Sequence, residues 1–163
     1  MNTRDSQRLA VYHWEDEIRK RWRLNDCGIT LEECDRLIRK VWSDYRPGQE
    51  PPKLVDGRGR RRACGSRWEI KLPRWARCRI VVLHEIAHSL QQQQPWHGPE
   101  FARLFLEMIV QYAGIPAREA KSIAVHQKPR RVWFAQAADV QAEDRDKKIE
   151  RLRQQIAELE QNN

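Results

Sequence analysis

Apolar positions change their period twice along this chain, and the changes mark its elements. From residue 5 to 24 they follow helical spacing, with Leu9, Tyr12, Ile18 and Trp22 as the inward candidates. Asn25 to Gly28 breaks that helix. Thr30 then opens a second one, and Glu33 three residues on completes a capping box. Leu31, Cys34, Ile38, Val41 and Trp42 form its apolar side, and Pro47 to Pro52 reads as a loop. From Lys53 the period becomes two. Leu54-Val55 runs into Asp56-Gly57, a hairpin signal, with Arg60 to Cys64 as the return and Gly65-Ser66 as the next turn. Arg67 to Leu72 alternates, placing Trp68, Ile70 and Leu72 on one face. The expectation is a small antiparallel meander of three strands whose last strand enters a helix through Pro73.

The helical period then returns. Ile80, Val81, Val82, Leu83, Ile86, Ala87 and Leu90 make the next helix apolar nearly all round, which predicts burial. Pro95 ends it, and a helix opening at Pro99 carries Phe101, Leu104, Phe105, Met108, Ile109 and Tyr112 on its core side. Gly114 stops that helix, and Pro116 opens a short one to about Val125. The fold class expected is α+β, helices packed on a small antiparallel sheet, over residues 1–127. Residues 128–142 read as a linker and 143–163 as a charged C-terminal helix. Its Ile149, Leu152, Ile156 and Leu159 suit either a short coiled coil, with a second copy or a partner protein, or an exposed single helix.

Composition narrows the class. No run of apolar residues is long enough to span a membrane, and the charged first 24 residues have no signal-peptide core, so a cytoplasmic protein is expected. The cysteines (27, 34, 64 and 78) include no C-x-x-C pair, which speaks for reduced thiols rather than a zinc ribbon. The formal charge is +8. Clusters at Arg58, Arg60, Arg61 and Arg62, and at Lys128, Arg130 and Arg131, suit nonspecific contact with DNA phosphates as well as they suit a solvated basic surface.

The candidate chemistry sits in the buried helix. His84-Glu85-Ile86-Ala87-His88 places two imidazoles on one helical face, where both reach one Zn²⁺. Glu85, next to the first histidine, is placed to act as a general base without being a ligand. Histidines and a glutamate in a core helix need polar partners or a metal, because burying them unpaired is costly. A catalytic zinc needs a third protein ligand. His97, on the turn before Pro99, is one candidate; Glu100 and Glu107 on the following helix are the others. Tyr112 and Arg103 lie in the right neighbourhood to stabilise an oxyanion, and equally to be structural.

The stretch from Leu72-Pro73-Arg74-Trp75-Ala76 through His84–His88 to His97-Gly98-Pro99-Glu100-Phe101 resembles the SprT-like zincins. More narrowly, it is similar to a short bacterial metallohydrolase group that shares the HExxH and HGPEF blocks. The resemblance covers roughly residues 50–115. It implies a zincin-like metallopeptidase domain, with one zinc per chain held by His84, His88 and His97, and Glu85 as catalytic acid/base. In the Spartan branch it implies proteolysis of protein crosslinked to DNA, although the cysteine zinc ribbon often present in SprT proteins is missing here. The expected reaction is amide hydrolysis of a protein or peptide lying extended beside the sheet along Arg67–Leu72. A regulatory peptidase of the ImmA/IrrE kind, cutting one repressor, and a non-catalytic adaptor whose zinc only holds the fold are the alternatives.

Overall fold

The computed structural model describes residues 5–24, 28–91, 94–126 and 132–134. The expected C-terminal helix, the cluster at Lys128, Arg130 and Arg131, and Cys27 lie outside the described residues. The architecture is mixed α+β: helices α1 (Arg8–Arg21), α2 (Leu31–Tyr45), α3 (Arg79–Leu90), α4 (Pro99–Ala113) and α5 (Ala117–His126) surround strands β1 (Lys53–Asp56), β2 (Cys64–Gly65) and β3 (Glu69–Leu72). No helix among the described residues is long and apolar enough to cross a membrane.

Local signals set most helix ends. The Thr30 hydroxyl accepts from Glu33 N, and the Glu33 carboxylate accepts from Thr30 N at 2.7 Å, so both halves of the capping box form. Pro99 starts α4, whose core side buries Phe101, Leu104, Phe105, Met108, Ile109 and Tyr112. Gly114 ends it at φ 69, a left-handed value that glycine adopts without steric cost.

The sheet departs from the expected meander. Its order is β1-β3-β2, with β1 parallel to β3 and β2 antiparallel to it. After Asp56 the chain does not fold back on β1, because Arg58, Arg60, Arg61 and Arg62 are exposed and give a returning strand no face to bury. β3 takes the middle because Ile70 and Leu72 both point into the core, fully buried. Trp68, expected beside them, precedes β3 and is 76% exposed, its indole lying against the Arg67 guanidinium. A substrate therefore cannot pair along Arg67–Leu72, since β3 has a strand on each side; the sheet's edges are β1 and β2.

Two further corrections bear on the site. Pro73 opens a 3-10 turn at Arg74–Ala76, and α3 begins only at Arg79. On α1 the buried residues are Ala10, Val11, Trp14, Glu15 and Ile18, whereas Leu9 and Tyr12 are about half exposed. The helix is turned by its largest apolar side chain. Trp14 is fully buried, packs edge-on to Phe105, and its Nε1 donates to the Ala120 carbonyl at 2.9 Å, binding α1 to α4 and α5. Burying one such aromatic contributes about 1.5–3 kcal/mol, more than a half-buried leucine can offset. Val132 to Phe134, placed in the expected linker, runs back over α1. Gln7 pairs with the backbone of Trp133 in both directions, and Phe134 packs edge-on to Trp14.

Candidate metal centre

α3 is buried on all sides, so the polar groups of its motif have no solvent to turn to. His84 and Glu85 are buried and His88 is half-buried. His97 reaches them from the turn before α4. There Gly98 N donates to the Pro95 carbonyl at 2.8 Å, and Gln91 Nε2 donates to the same oxygen at 2.7 Å. A side chain on Gly98 would strike Pro95, so the tightness of this turn requires glycine. Phe101 lies under all three imidazoles, with ring-centre distances of 4.9 Å to His84, 4.5 Å to His88 and 5.1 Å to His97.

One potential ligand atom from each of His84, His88 and His97 lies within 4.8 Å of the other two, close enough for the group to bind a metal ion. Glu107 instead pairs with Arg103 at 2.6 Å, and neither it nor Glu100 belongs to the group. Tyr112 donates its hydroxyl to Asp44 at 2.6 Å and is buried. Tyr112 and Arg103 are thus engaged elsewhere and do not line the cavity over the histidines.

A carboxylate stands beside each of two histidines. His84 Nδ1 is 2.7 Å from Glu15 Oε2, and His97 Nδ1 is 2.7 Å from Asp5 Oδ2. The His97 pair is a hydrogen bond, which leaves Nε2 as that ring's atom for a metal and fixes its orientation. His84 Nδ1 lies close to Glu15 but out of hydrogen-bonding alignment, and is buried with no hydrogen-bond partner. His97 Nε2 is buried with no hydrogen-bond partner, an orphaned donor or acceptor that a metal would satisfy. The donor set therefore fits a metal ion.

Electrostatics point the same way for two of the three rings. Burial and the charges of neighbouring histidines hold His88 well below the ordinary histidine range. Burial also lowers His97, against the pull of Asp5. Both are kept neutral, the form a ligand needs. Burial opposes charge on His84 too, but the Glu15 carboxylate outweighs it and raises the pKa.

Glu85 stands outside the histidine group. Burial pushes its carboxyl up to about 7, with the Glu15 charge adding to the rise while His84 and the Gly65 backbone oppose it. A carboxyl near neutrality is suited to both taking and returning a proton. Gly65 explains how β2 comes so near. A Cβ on Gly65 would overlap the Glu85 carbonyl, 2.8 Å from its carbon, so only glycine lets the strand lie on α3 at this residue.

A cavity of about 780 Å³ opens over the cluster. A second, of about 590 Å³, meets it at His84 and Glu85. Tyr12 stands between them, stacked on His84 at 5.6 Å and edge-on to His97 at 5.1 Å. Sequence reasoning missed Asp5, Tyr12, Glu15 and Gly65. The available signal was weak: Arg8, Tyr12 and Glu15 form an i, i+4, i+7 stripe of polar and amphipathic residues beside the apolar stripe of α1. Compared with protein-family models, curated proteins and solved structures, the chain matches none of them.

Proposed function

We propose that the chain is a zinc-dependent peptidase of the SprT-like zincin kind, with His84, His88 and His97 as ligands. The observation that carries this reading is the pairing of a convergent histidine trio with a buried, non-ligand glutamate facing the same cavity. Three imidazoles with an open position are a catalytic rather than a closed structural zinc set. The chemistry zinc supplies when bound is acidification of a water molecule and polarisation of a carbonyl. The chain's own part begins with Glu85, which takes a proton from the attacking water and delivers it to the departing amine. Asp5 holds the His97 imidazole in place, and the Glu15 carboxylate lies against His84. Phe101 excludes water from below, and Tyr12, beside the cluster and close to Glu85, replaces Tyr112 and Arg103 as the nearest candidate for oxyanion stabilisation.

Glu85→Gln tests the reading. It keeps the side chain's size and removes its basicity, so zinc content should stay near wild type while peptide hydrolysis falls about 10²–10⁴-fold. Equal cutting by wild type and variant would remove Glu85 from the mechanism. Absence of cutting by either, with zinc still bound, would favour the adaptor reading.

Contact with DNA is a second reading with its own observation. Arg61 and Arg62 of the exposed loop line the second cavity beside Trp75, a combination of cations and an aromatic that suits a single strand. Replacing Arg60, Arg61 and Arg62 with Ala should weaken binding and flatten its salt dependence if this loop holds phosphates.

A further inference from the structure

The larger cavity contains three guanidinium groups that the metal centre does not use. Arg8 comes from the first turn of α1, Arg46 from the end of α2, and Arg67 from the segment before β3. They converge from three elements distant in sequence. Among the described residues neither Arg8 nor Arg46 has an ion pair or a side-chain hydrogen bond. Arg67 is held firmly, but by neutral groups. Its guanidinium lies 4.8 Å from the ring centres of both Trp42 and Trp68, and it donates to the Glu50 carbonyl at 3.2 Å and to Gln49 Oε1 at 3.5 Å. Stacking between two indoles fixes the cation's position without neutralising it.

The acids in the same wall do not balance this charge. Asp5 is engaged with His97, and Glu85 is buried among the histidines. The rim thus presents uncompensated, partly preorganised positive charge on the cavity that leads to the cluster. Low-dielectric walls strengthen such a field, and guanidiniums match a carboxylate with two parallel hydrogen bonds.

A polypeptide fits the rest of the cavity better than a nucleic acid does. β2 lines it through Cys64 and Gly65, and β2 is an edge of the sheet. An open strand edge pairs with the backbone of an extended peptide and offers a sugar-phosphate chain nothing equivalent. We propose that this site selects acidic peptides, with Arg8, Arg46 and Arg67 binding Asp or Glu side chains that flank the bond placed over His84, His88 and His97. The proposal rests on the peptidase reading for the position of that bond, and on the arginines alone for the charge preference.

Binding separates the two. Zinc-loaded Glu85→Gln would be titrated with short labelled peptides whose residues flanking a central Ala-Ala bond are Glu, Gln or Lys, and anisotropy recorded. The Glu peptide should bind about tenfold or more tighter than the Gln peptide, the scale of one or two charge-assisted hydrogen bonds. Arg46→Glu, combined with Glu85→Gln, should reverse the order in favour of the Lys peptide, a change that a merely structural arginine would not produce. Arg8→Glu, on the exposed start of α1, gives the same readout should Arg46→Glu not fold. Equal binding of Glu and Gln peptides, no binding of the Glu peptide, or an order unmoved by the charge swap overturns the proposal. A single-stranded oligonucleotide that displaces the Glu peptide and loses affinity equally in Arg46→Glu also overturns it, in favour of a nucleic-acid site. Wild type incubated with the same peptides reports on hydrolysis separately. Preference without cutting sinks the peptidase reading and leaves the acidic ligand, whereas cutting without preference does the reverse.

Discussion

α3 and α1 both build the candidate metal centre, yet only one of them announces it. α3 supplies His84, Glu85 and His88 within a single turn and a half, so the helical repeat alone sets them side by side. α1 supplies Glu15 and Tyr12, with Asp5 just ahead of it, and none of these means anything chemically until the helix is docked. The ligands of a site can be encoded by local periodicity. The groups that orient them are encoded by packing. In this chain the packing is set by Trp14, whose burial turns the helix so that Glu15 faces His84 and Tyr12 faces the cavity.

The sharpest break between the two regions should appear in metal affinity. Removing a ligand by His88→Ala on α3, or by His97→Ala on the turn, should weaken zinc binding by several kcal/mol, out of the about 10–16 kcal/mol seen for structural zinc sites. Competition with a chromophoric chelator measures it. Full occupancy in His97→Ala would take that residue out of the ligand set and reopen the case for Glu100.

Next in size is a stability effect centred on α3. In the metal-free protein the Glu85 carboxyl is raised from an ordinary 4.5 to about 7, with burial as the main cause. Between those pH values the native state holds a proton that the unfolded state has released, so this group's contribution falls as pH rises and the loss is complete above about 7. Glu85→Gln removes the effect. The variant's stability relative to wild type, from urea melts, should therefore grow with pH by up to about 3 kcal/mol. A pH-independent difference would show that Glu85 is not held protonated. Adding Glu15→Gln should shrink the difference, because Glu15 contributes to the rise.

The smallest effects belong to the carboxylates around the N-terminal helix. Glu15→Gln and Asp5→Asn keep shape but weaken the hold on His84 and His97, and each should lower zinc affinity about 10–100-fold, the usual scale for such partners. Losses as large as those from His88→Ala would erase the distinction between ligand and orienting group. No loss would mean that Phe101 and the turn at Gly98 position the rings unaided.

What the chain wrote locally was legible in it. The helix ends at Thr30, Pro99 and Gly114, the apolar all-round α3, and the pairing of His84 with His88 depend on residues within a turn or two of one another. Their physics is short-range and survives without knowledge of the fold. His97 was legible as a candidate only; its place in the histidine cluster depended on how sharply the chain reverses between Gln91 and Gly98. The sheet was beyond reach. Asp56-Gly57 is a sound hairpin signal, but a hairpin needs a second strand with something to bury, and the arginines that follow have nothing. The parallel pairing of β1 with β3, the contact of Gly65 with Glu85, the rotation of α1, and the convergence of Arg8, Arg46 and Arg67 all join residues far apart in sequence. Such contacts are chosen by competition among whole surfaces for burial, and no local pattern records which surface wins.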